Sequence, residues 1–180
     1  MVLEVAHQLF YWRGIRATGV DRVAAEAGVA PTTLYRLFSS KDDLVAAYID
    51  RAFRLYRDWF DAAAAAGGVA PRDRILAVFD ALAEQVQPHQ CRGCPFLMAL
   101  AEFPDTDHPA RQGAIAMKTW VRGRFGELAE QFVSANPAHN PSELADDLSL
   151  LMEGGYASAQ ALGHLGPARR ARAMAAALLG

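Results

Sequence analysis

The 180-residue chain has only two cysteines, no long apolar run and no excess of positive charge, and each shortage removes a class of protein. Cys91 and Cys94 are too few to make a disulfide framework. No apolar stretch reaches the roughly 18 residues that a bilayer-spanning helix needs, so no membrane partner is expected. The opening MVLEVAHQLF has no basic segment followed by a cleavage site, which leaves a cytoplasmic location as the expectation. A formal charge of −2 excludes a nonspecific basic coat for nucleic acid. Residues 1–50 carry five basic side chains against six acidic ones, a formal −1. Also missing are a Gly-x-Ser-x-Gly nucleophile turn and a phosphate-binding glycine loop, so neither an enzyme nor a cofactor site is expected.

What the chain does have is alanine and apolar residues at three- and four-residue spacing, with no alternating β-branched runs, a pattern that predicts an all-α fold. Helices are expected over 2–13, 20–27, 31–38 and 41–66, punctuated by Gly14, Gly28 and Gly67-Gly68. The fourth, at 1.5 Å per residue, would be roughly 40 Å long and would join a small amino-terminal domain (1–45) to a larger helical one (46–180). Five more are expected over 72–87, 95–103, 109–135, 142–163 and 168–179, bounded by Pro88, Pro104, Pro137, Pro141 and Pro167.

The second and third helices, joined at Gly28, form a helix-turn-helix. Ala24 is small where they cross, Gly28 suits a positive φ, and Leu34, with Val29 and Leu37-Phe38, faces the shared core. Thr32, Thr33, Tyr35 and Arg36 then remain on the outer face of the helix that enters the major groove in such motifs. Hydroxyls can bond phosphates and bases, and a guanidinium can pair with guanine through two hydrogen bonds.

This segment resembles the TetR family of transcriptional regulators. The resemblance rests on Leu9-Phe10, Gly14, Thr18-Gly19-Val20, Ala27-Gly28-Val29, Leu34-Tyr35-Arg36-Leu37-Phe38 and Ser40-Lys41-Asp42-Asp43-Leu44 in order. It implies that Thr18, Thr33 and Tyr35 touch phosphates, that Thr32 and Arg36 lie nearest the bases, and that Lys41 meets a phosphate from the start of helix four. Two departures stand out: Ala30 where the family often has a capping serine, and Gly19 in place of a hydroxyl residue.

Beyond residue 67 the pattern is weaker. Leu144, Leu148, Leu151, Gly155, Ser158 and Leu162 form a stripe, continued in the last helix by Ala171, Met174, Ala175 and Leu178. Such a stripe packs either inside the monomer or against a symmetry mate, and the resemblance puts a homodimer interface there. Phe79, Phe96, Met117, Trp120, Phe125, Met152 and Tyr156 are the candidate lining of an effector pocket, with ordinary core as the alternative for each. Cys91-Arg92-Gly93-Cys94 suggests a thiol switch, or a buried helix start with Cys94 as a small apolar filler. Zinc is not expected, because no second cysteine pair joins His89 and His108. His108-Pro109 after Asp105 and Asp107 reads as a capped helix entry.

The expectation is therefore a homodimeric transcription regulator, a repressor, that binds a palindromic double-stranded operator and is released by a small hydrophobic effector of unknown identity. The alternative is a thiol- or redox-responsive regulator, or a small helical thiol-dependent enzyme using Cys91 and Cys94.

Overall fold

The structure, a computed structural model, describes residues 1–89, 91–163 and 165–180. Among the described residues there are nine helices and no strand: α1 (Val2–Arg13), α2 (Val20–Glu26), α3 (Pro31–Leu37), α4 (Lys41–Ala66), α5 (Pro71–Gln85), α6 (Pro95–Glu102), α7 (Pro109–Val133), α8 (Pro141–Leu162) and α9 (Leu165–Leu178). None of the helices described is long and apolar enough to cross a membrane.

The chain divides into two compact units, one of residues 1–55 with 95–117 and one of residues 56–94 with 118–180. The sequence boundary at 45/46 falls inside α4 and within the first unit.

In the first unit α1 buries Ala6, Leu9 and Phe10 on one face. Gly14 ends it with φ 97°, a conformation that a residue with a Cβ reaches only under strain, and donates its N–H to Phe10 O at 3.0 Å. Gly28 (φ 66°) turns α2 into α3 and lets Val29 N–H reach Ala24 O at 3.0 Å. Pro31 opens α3 where its missing N–H costs nothing, and Ala30 gives no side-chain cap. At α4 the cap is present: Ser40 Oγ accepts the Asp43 N–H at 3.0 Å.

Leu37 differs from expectation. It is 60% exposed, because α3 ends there and the extended backbone of Phe38 (φ −137°) carries the chain away, so Leu34 is the one buried side chain of α3.

In the second unit α8 packs on α9, and both meet α5. Asn140 caps α8 by accepting the Ser142 N–H at 3.0 Å, ahead of Pro141 at the first helical position. Helix α9 begins three residues earlier than Pro167 suggested. The proline lies in its first turn, where backbone N–H groups have no helical partner to lose.

Candidate nucleic-acid interface

Helix α3 is held by Leu34, which is fully buried, while α2 contributes Val23 and Ala24 to the same core. The remaining face of α3 points outward. Thr32, Thr33, Tyr35 and Arg36 are all exposed, and Arg36 has no ion pair with any described residue. Two hydroxyls, a phenol and a guanidinium on two turns of helix make a surface that can bond to phosphate oxygens and base edges without breaking any internal contact.

Two residues expected beside them sit differently. Thr18 is 1% exposed, and its hydroxyl donates to Gly14 O at 2.8 Å. It therefore ties the turn after α1 to the start of α2 instead of presenting its side chain for a phosphate. Lys41 is half-buried, with Nζ donating to Arg16 O at 3.4 Å across the same turn. Its ammonium stays close to the exposed start of α4, where it can still meet an anion.

That turn is also gripped from a quarter no local pattern indicated. The Ile15 and Arg16 N–H groups donate to Glu102 Oε1 and Oε2 at 3.1 and 2.6 Å. Arg16 lies over the Phe103 ring, 5.6 Å from its centroid, and His108 stacks on that ring at 3.9 Å. His108 Nδ1 accepts the Ala110 N–H at 3.2 Å, which makes it a cap for α7, and its Nε2 is 3.5 Å from Asp42 Oδ1.

In the second unit Phe79 stacks on Phe125 at 5.8 Å, and Phe60 meets both Phe125 and Trp120 edge-on. Phe79, Phe125, Met152 and Tyr156, and in the first unit Phe96 and Met117, are between 0% and 5% exposed and serve as core. Trp120 is half-buried, with the Arg57 guanidinium 5.6 Å from its ring.

Beside this core lies a polar cluster that the sequence did not reveal. Lys118 Nζ donates to both Glu153 oxygens at 2.6 and 2.7 Å and to Cys94 Sγ at 3.2 Å. Tyr156 donates to Gln85 Oε1 and lies beside Tyr56. Burial, reinforced by neighbouring groups that include Cys94, holds both phenols well above the usual tyrosine range, so both stay neutral donors. No disulfide joins Cys94, which is buried, to Cys91, which is half-buried. Among the described residues no group of three or more potential metal ligands gathers.

The α8–α9 stripe is split. Leu144, Leu148, Gly155, Ala171 and Ala175 are buried inside the chain's own packing, and a Cβ at Gly155 would stand 2.9 Å from Leu82 Cδ2. At Gly155 the close approach is to Leu82 of α5 and Ala171 of α9. Leu151, Ser158 and Leu178 are half-buried, whereas Leu162 and Met174 are exposed, at 78% and 43%. Leu150, outside the expected stripe, is 69% exposed. With Leu151, Gly154, Ser158 and Pro167, these three border a groove of 520 Å³ between α8 and α9.

Comparison with known proteins accords with this geometry. The family model of bacterial regulatory proteins of the tetR family matches residues 2–48, and that of the tetracyclin repressor-like C-terminal domain matches residues 71–175. The crystal structure of a TetR-family transcriptional regulator from Streptomyces coelicolor superposes with a TM-score of 0.91 at 31% identity, covering 99% of this chain and 92% of that one. A TetR transcriptional regulator from Chloroflexus aurantiacus gives 0.85 at 26% identity over 99% and 91%. The HTH-type transcriptional repressor KstR2 of Mycobacterium tuberculosis is 35% identical over 95 residues, which are 51% of this chain and 45% of that protein. The matched stretch thus spans less than half of that repressor's length. With the amino-terminal helices and most of the remaining chain each matched by the corresponding family model, the protein belongs to the TetR family of bacterial transcriptional regulators.

Proposed function

We propose that the chain is a ligand-responsive repressor that acts in the cytoplasm, binds a palindromic operator as a homodimer and is released by a small apolar effector. The observation that carries the DNA-binding part is the outward array of Thr32, Thr33, Tyr35 and Arg36 on a helix anchored by Leu34. Arg36 and Thr32 lie nearest the base edges, Thr33 and Tyr35 bond phosphates, and Lys41 supplies a phosphate contact from the start of α4. Thr18 acts indirectly, by fixing the turn before α2.

Homodimer formation is supported by the exposed apolar side chains Leu150, Leu162 and Met174 around the α8–α9 groove. A second copy covers them, and two reading helices then meet two half-sites. The effector binds in the helical region that includes Trp120 and the Tyr56–Tyr156 pair, where aromatic faces and neutral phenols suit an apolar compound carrying an oxygen. A thiol-dependent reading is the weaker one, since Cys94 is only 3% exposed.

The decisive experiment is selection of bound sequences from random duplex DNA with the full chain. Recovery of an inverted repeat with half-sites about one helical turn apart supports the reading. Recovery of no enriched sequence sinks it.

A further inference from the structure

The geometry points to Glu102, the last residue of α6, as a positioning residue for operator binding: its carboxylate fixes the α1–α2 turn from which the helix-turn-helix starts. The inference rests on the DNA-binding reading above.

Helix α1 stops at Arg13 and the positive φ of Gly14 takes the chain out of the helical ladder, so the next amides need partners from elsewhere. Glu102, 87 and 86 residues away, supplies one oxygen to each: Oε1 accepts from Ile15 and Oε2 from Arg16. Two charge-assisted bonds from one carboxylate to consecutive peptide groups restrain both the place and the tilt of the turn.

The surroundings reinforce the grip. Arg16 rests on Phe103, the Arg16 carbonyl accepts from Lys41, and the Thr18 hydroxyl donates to Gly14 O. His108 extends the same segment to Asp42 in the first turn of α4. The α6–α7 segment thus contacts the chain on both sequence flanks of α2 and α3, all within the first compact unit. Shifting the 14–18 turn shifts the start of α2, and α3 packs on α2.

Sign separates this role from simple electrostatics. A carboxylate near DNA repels phosphate, so deleting it for charge reasons alone strengthens binding. Deleting a positioning group weakens it.

The test uses the full chain and the duplex selected by the wild type, with three variants. Glu102→Ala removes both acceptors, Glu102→Asp keeps the charge but is one methylene shorter, and Glu102→Gln keeps one oxygen acceptor. Loss of a charge-assisted bond predicts about tenfold weaker operator binding for the Ala and Asp variants, with Gln in between. Amide hydrogen exchange at Ile15 and Arg16 accelerates about tenfold or more in Glu102→Ala, while helical circular dichroism is unchanged. If that variant does not fold, the Asp and Gln variants carry the same two measurements. Binding as tight as the wild type's, or tighter, in all soluble variants overturns the role, as does unchanged exchange at the two amides. A wild type that selects no sequence overturns the DNA-binding reading and this role with it, whereas selection indifferent to all three substitutions overturns this role alone.

Discussion

Single side chains divide into those that read and those that hold. Arg36 is exposed and without an ion pair among the described residues, so Arg36→Ala leaves the fold's stability unchanged within error. It is expected to cost about 1–3 kcal/mol of operator binding and to relax preference at one base pair, as checked by competition titration against single-base variants. His7 belongs to the holding class. It stacks on Tyr11 at 6.1 Å, meets Tyr48 edge-on at 5.3 Å, and has a buried Nδ1 with no hydrogen-bond partner among the described residues. Burial, then the Arg51 charge, push its pKa below the ordinary 6.5, with Glu4 opposing. The unfolded chain therefore takes up a proton that the folded chain resists. The contribution of His7 is complete above about pH 6.5 and is lost as pH falls below it. Urea midpoints measured across that range are expected to decline on acidification, and His7→Phe flattens the decline.

Among the elements, α2 and α3 depend on the backbone of Gly28. A Cβ there would meet nothing within 4 Å, so the cost of Gly28→Ala is conformational only. With φ at 66° it is about 1–2 kcal/mol, measurable by chemical denaturation. Gly93 differs: its φ is 137°, and a Cβ would also overlap the Gln160 side chain, which donates to Arg92 O. Such local requirements are what the sequence displays well. Periodicity located all the helices, and the Gly14, Gly28 and Ser40 signals were each legible from neighbouring residues alone. Failures came where a distant partner decides. Nothing within a few residues of Glu102 or Lys118 indicates that one grips amides 87 and 86 positions away or that the other reaches Glu153. Thr18 is a different case: its partner is local, the Gly14 carbonyl four residues back, but a main-chain acceptor leaves no trace in the sequence. The stripe on α8 is partly buried, and periodicity cannot say whose helix packs against the rest.

At the level of the molecule, the proposed dimer rests on the exposed apolar side chains Leu150 and Leu162 of α8 and Met174 of α9. Leu162→Glu with Met174→Glu places charge where a second copy would bury it, and sedimentation should show a monomer with the helical signal retained. Because two half-sites need two reading helices, the same variant should lose operator affinity more than a hundredfold, or about 3 kcal/mol. Overall charge argues for a mild salt response. The chain carries a net −2, and in the proposed complex Arg36 and Lys41 are the cations offered to the duplex, so each subunit would neutralise few phosphates. A log–log salt slope no steeper than about −4 for the dimer is expected from anisotropy titrations.

The anchoring of α3 by one leucine has a further consequence for how such proteins diversify. Six of its seven residues are exposed, so at the outward-facing Thr32, Thr33, Tyr35 and Arg36 a lineage can rewrite the DNA text it recognises through substitutions that scarcely touch folding. New operators are thermodynamically cheap to acquire, whereas changes at Leu34 are not.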